Sequence, residues 1–119
     1  MAYDEDLADR IRALIDDEPL VTETKMFGGL AFLVGGNMAI AASGQGGVLV
    51  RVDPAQSDKL IATTPAELAV MGGRSMNGWL RVGDDDVRTK RQLEKWVKLG
   101  VSYARSLPPK KKKVKPARG

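Results

Sequence analysis

The chain has no cysteine and no histidine. Without thiols there is no disulfide framework and no thiolate metal site. Without imidazole, Ser-His-Asp and Cys-His catalysis are excluded, as are His-ligated metals. Aromatic residues make up only 5% of the sequence, so a core has to be assembled from Leu, Val, Ile, Ala and Met. No stretch approaches the roughly 20 apolar residues that span a bilayer. The acidic start, Tyr3-Asp4-Glu5-Asp6, lacks the positive charge of a signal or transit peptide. Together these absences lead to the expectation of a cytoplasmic protein with no membrane insertion.

What is present suits one domain. Apolar residues are 43% of 119, enough for a single core and too few for two. Charge is divided unevenly along the chain. Lys110, Lys111, Lys112, Lys113, Lys115 and Arg118 fall in the last twelve positions, which contain no acid. Residues 1–107 therefore hold 13 basic residues against 15 acidic ones, and the net charge of +4 comes from the end of the chain. The expected organisation is an α+β domain over residues 1–107, followed by a disordered lysine-rich tail over 108–119.

Periodicity assigns the elements. Leu7, Ile11, Leu14 and Ile15 recur on one helical face, predicting a helix from about Asp4 to Asp17 that ends before Pro19. Strands follow at Val21–Phe27, Leu30–Val34, Met38–Ala42 and Val48–Val52. Gly35-Gly36-Asn37 and Gly44-Gln45-Gly46-Gly47 are tight turns, which makes the set an antiparallel meander. Asp53-Pro54-Ala55-Gln56 and Thr64-Pro65-Ala66-Glu67 each place a cap, a proline at N1 and a Gln or Glu at N3, predicting two short helices. A fifth strand is expected at Gly78–Val82 and a long helix from near Asp86 to Leu107. The fold class is thus α+β: an antiparallel sheet of about five strands packed by an N-terminal helix, short middle helices and a long C-terminal helix.

Few residues carry chemistry. Gly44-Gln45-Gly46-Gly47 leads into a strand, whereas a phosphate-binding glycine loop opens a helix. Asp84-Asp85-Asp86 lacks the spaced oxygen ligands of a calcium loop, and its place before a helix favours capping. Lys25 is the single candidate for a nucleophilic or acid–base lysine, and no partner residue nearby activates it. No catalytic, cofactor or metal site is expected. The tail lysines with Arg118 could neutralise phosphates of DNA or RNA without reading sequence, since no aromatic residue is interleaved among them.

Three stretches taken in order carry a family signature. Lys25-Met26-Phe27-Gly28-Gly29-Leu30-Ala31-Phe32, Gly73-Arg74-Ser75-Met76-Asn77-Gly78-Trp79 and Tyr103-Ala104-Arg105-Ser106-Leu107-Pro108 resemble the N-terminal domain of the TfoX/Sxy competence regulators, in its stand-alone form. The resemblance spans roughly residues 5–108. It implies an antiparallel sheet packed by helices, and a transcriptional coactivator working with a DNA-bound activator in a bacterial cytoplasm. Lys25, Met26, Phe27, Arg74, Met76 and Trp79 are then the expected patch for a protein partner, since Met and aromatic side chains beside Arg suit such contacts. Homodimerisation is left open.

Overall fold

The computed structural model describes residues 4–26, 29–44, 46–71 and 73–107. These residues fold into one six-stranded antiparallel sheet with three α-helices. Helix α1 spans Glu5–Leu14, and its N-cap Asp4 accepts hydrogen bonds from the Asp6 and Leu7 amides, as the acidic start required. Strands β1 (Val21–Met26), β2 (Gly29–Val34), β3 (Asn37–Ala42) and β4 (Val48–Arg51) form the meander. Gly35 and Gly36 take φ of 60° and 85° in the β2–β3 turn, a region open to glycine. Helix α2 (Pro54–Thr63) starts where Asp53 caps and Pro54 sits at N1.

The next element departs from the expectation. Thr64-Pro65-Ala66-Glu67 starts no helix: Glu67–Met71 is strand β5, paired with β6 (Arg74–Val82). Thr64 instead closes α2, its hydroxyl and amide both donating to the Leu60 carbonyl. Proline at 65 holds Thr64 extended (φ −137°, ψ 168°). Too few residues remain before Gly73 to repay helix nucleation, whereas pairing with β6 satisfies the backbone at once. The sheet therefore has six strands in the order β1-β2-β3-β4-β6-β5, and the last strand begins at Arg74, not Gly78.

The aspartates at 84–86 also differ from expectation. They form a short 3₁₀ turn and cap no α-helix. Asp84 accepts the Gly47 amide at 2.7 Å, holding the β3–β4 turn. Helix α3 spans Lys90–Ser106 and is capped by Thr89, whose hydroxyl accepts the Gln92 amide while the Gln92 side chain accepts the Thr89 amide.

The main core lies between the helices and one face of the sheet. Phe32, Ile40, Val48, Val50 and Leu80 meet Leu7 and Ile11 of α1 and Leu93, Trp96 and Val97 of α3. Helix α3 approaches closely at Gly100, where a Cβ would lie 2.3 Å from the Ala39 carbonyl oxygen. Arg10 fastens α1 to the segment before α3, donating to the carbonyls of Val87 and Arg88 at 2.9 Å. Among the described residues, no helix is long and apolar enough to cross a membrane.

A basic and aromatic sheet face as candidate functional site

Strand alternation gives the sheet a second face. Ala31, Met38, Ala41, Leu49 and Ala69 form a smaller cluster there, with Leu33 and Trp79 packed against it. Every buried apolar residue of the helices belongs to the first cluster. Among the described residues, then, the second face is built by strands alone.

Candidate side chains gather on its β4–β6–β5 side. In the β4–β6 register Trp79 stands opposite Arg51 and Arg81 opposite Leu49. On β5, Glu67 lies opposite Arg81, Ala69 opposite Met76 and Met71 opposite Arg74. Ala69 and Trp79 share the second cluster, so Arg74, Met76, Trp79 and Arg81 all belong to this face. The Arg51 guanidinium lies 5.2 Å from the Trp79 ring centre and 5.6 Å from that of Tyr103 on α3, within cation–π range of both. Arg74 is exposed, while Met76 and Trp79 are half-buried. Among the described strand residues of this side, Arg51, Arg74 and Arg81 are accompanied by one acid, Glu67, opposite Arg81.

The bend in β6 is set from behind. Gly78 has φ of 86°, and a Cβ there would come within 3.0 Å of the Val52 carbonyl oxygen and the Pro54 ring. Its amide donates to the hydroxyl of the fully buried Ser57 at 2.8 Å, and its carbonyl accepts the Val52 amide at 2.7 Å. These bonds anchor α2 to β6 and fix where Trp79 leaves the strand. Gly78 thus has a structural task inside a motif whose other members are exposed or half-buried.

Lys25 of the expected patch lies elsewhere. Strand β1 is the opposite edge of the sheet from β5. Lys25 is exposed there and pairs with Leu30, a core residue of the helix-covered side. The end of β1 and the start of β6 also lie at opposite ends of the sheet's strands, as the registers require. The fold therefore brings Arg74, Met76 and Trp79 together and leaves Lys25 apart. Met26 is the last residue of β1, and Phe27 and the tail cations Lys110, Lys111, Lys112, Lys113, Lys115 and Arg118 lie outside the described residues.

Arg51, Arg81 and Tyr103 join the site without having been expected. A signal existed for the first two: each is a charge between buried strand residues, in Val50-Arg51-Val52 and Leu80-Arg81-Val82. Arg81 stands two residues from Trp79 on β6 itself, whereas the nearness of Arg51 depends on the pairing of β4 with β6, across an intervening helix and strand. Elsewhere on the surface Arg12 pairs with Asp9 and, at 2.7 Å, with Glu23. That hydrogen-bonded partnership holds the Glu23 carboxyl below its ordinary pKa and raises the already high pKa of Arg12. Among the described residues, no group of three or more carboxylates is placed to hold a metal ion.

A family model for the TfoX N-terminal domain matches residues 13–104. No curated protein and no solved structure matches the chain. The matched region covers more than three quarters of the sequence, from the end of α1 through nearly all of α3, and includes the Arg74–Trp79 strand. By that match the chain belongs to the TfoX N-terminal domain family, a family of competence-related regulatory domains.

Proposed function

We propose that the chain is a non-enzymatic binding domain acting in transcription-related regulation in a bacterial cytoplasm. Its sheet face engages a protein partner, and residues 108–119 add non-specific attachment to nucleic acid. The observation that carries this reading is the convergence of Arg74, Met76 and Trp79, flanked by Arg51 and Arg81, on a face that no described helix covers. An adaptable thioether, an aromatic ring and guanidinium forks are the residue types that anchor protein interfaces. The family is not a known enzyme family, which supports the non-enzymatic part. Three arginines against one glutamate favour an acidic partner surface.

A photo-crosslinking residue at the exposed Asn77 tests the reading, with captured proteins identified by mass spectrometry in cells of the source organism. The expected captures are components of transcription, lost in Arg74→Ala and Trp79→Ala chains that remain folded. Capture unchanged by both substitutions would overturn it.

The same three arginines favour a second reading, nucleic-acid binding by the body itself. Neutralising the six tail cations by substitution with Gln separates the two. The tail alone accounts for a log–log salt slope no steeper than about −5 on duplex DNA. Binding abolished by neutralising the tail supports the first reading. Binding that persists and falls with Arg51→Ala or Arg81→Ala supports the second.

A further inference from the structure

A cleft of about 520 Å³ opens where the loop after α1, the β2–β3 turn and the end of α3 meet. Pro19, Leu20, Val34, Ala104 and Leu107 give it an apolar lining, with Asp17 and Glu18 at its rim. Leu20 is unusual in two ways. It has φ of 64°, a backbone region that a bulky residue rarely adopts, and it is 70% exposed. Its carbonyl is held by the Gly35 amide at 3.1 Å, which fixes the side chain at the cleft instead of in the core. Glu18 is paired with Arg105, tying the loop to α3 and neutralising one rim carboxylate. Asp16 and Asp17 are exposed, and no ion pair among the described residues involves them.

We infer that this cleft is the docking site of the chain's own residues 108–119. Leu107 already lines it, so the segment that follows begins at its mouth. That segment opens with Pro108-Pro109, continues with Lys110 to Lys113 and Val114, and contains six cations and no acid. Prolines have a fixed φ and give up little freedom on docking against Pro19, Leu20 and Val34. The lysines that follow are the complement of Asp17 at the rim and of its exposed neighbour Asp16. Twelve residues reach at most about 40 Å, far more than the distance required. Because the two parts share one chain, the local concentration is on the order of millimolar, which populates even a weak contact. The lysine contacts are exposed and weaken as salt screens them. A docked segment presents fewer cations to other anions, so the cleft limits how freely those lysines meet phosphates.

The absence of cysteine makes the test direct. A nitroxide label on Val114→Cys in the full chain is read through paramagnetic broadening in its amide spectrum, which also reports that the chain is folded. The expected result is loss of the Leu20 and Gly35 amide signals, with those of β6 retained. Asp16→Asn together with Asp17→Asn should restore them, as should about 1 M salt, where the Debye length is about 3 Å. Asp4→Asn with Asp6→Asn, a charge change of the same size elsewhere, should not. Broadening that is absent, spread evenly, or unaffected by the rim substitutions would overturn the inference. Broadening seen only between labelled and unlabelled chains in a mixture would also overturn it, and assign the cleft to a second copy.

Discussion

Phe32 and Leu33 are neighbours in sequence and belong to different environments. Phe32 is fully buried between the sheet and the helices, while Leu33 is half-buried against the smaller cluster of the opposite face. The same division runs through the whole sheet. One face has α1, α2 and α3 packed on it and holds the largest buried side chains. The other has alanines at its centre and Met, Trp and Arg towards its β6 side. Charge follows the division: of 15 acidic residues only Glu23 and Glu67 lie in strands, and Arg12 neutralises Glu23. A domain with a slightly acidic body can thus present a basic surface, because the helices and loops carry nearly all of its acid. Net charge alone concealed that surface.

The sharpest test of the two faces is a pair of adjacent truncations. Phe32→Ala should cost about 4 kcal/mol of unfolding free energy, as a large side chain removed from a closed core. Leu33→Ala should cost about 1–2 kcal/mol, in proportion to its partial burial. Equal losses in urea denaturation would mean that the second face is as enclosed as the first. Gly100→Ala comes next. The added methyl meets backbone, which cannot rotate aside as a side chain can, so a loss of about 3 kcal/mol is expected in the same assay. A neutral result would show that α3 lifts from β3 without penalty.

The smallest effect is electrostatic and lies at the margin of the helix-covered face. Glu23 has a depressed pKa in the folded chain because Arg12 hydrogen-bonds to its charged form. A depressed carboxylate stabilises above the unfolded pKa of about 4.5 and loses that contribution as pH falls through the folded value. Glu23→Gln should therefore lower stability by less than about 1 kcal/mol near pH 7, with the difference from the native chain shrinking as pH falls through the folded pKa of Glu23. Thermal melts over a falling pH series read it. A difference that persists at low pH would show that Glu23 acts through packing and not charge.

Much of the fold was legible because its signals are local. Asp4 and Asp53 cap helices, Gly35-Gly36 turns a hairpin, and the Leu93–Ala104 stripe buries one side of α3, each decided within a few residues. Thr64-Pro65-Ala66-Glu67 has the same local form as a helix start and becomes a turn into a strand, because β6 offers a partner that no nearby residue reveals. Asp84 resembles a cap and instead holds Gly47, which is 37 positions away. The site divides in the same manner. Arg74, Met76 and Trp79 lie close enough in sequence to be recognised as one motif. Arg81 joins them by alternation along β6, Arg51 and Tyr103 through strand pairing and helix docking, and Lys25 is carried to the far edge.

Sequence by itself determined α1, α2 and α3, the meander, the glycine turns and the separation of a nearly neutral body from a cationic end, since propensity, periodicity and charge act over a few residues. Tertiary structure alone decided that β6 inserts between β4 and β5, and with it which face receives the helices and which arginines surround Trp79. The physical reason is that strand partners are chosen by backbone hydrogen bonding and apolar burial between distant segments, and neither is written in the local pattern of any one strand.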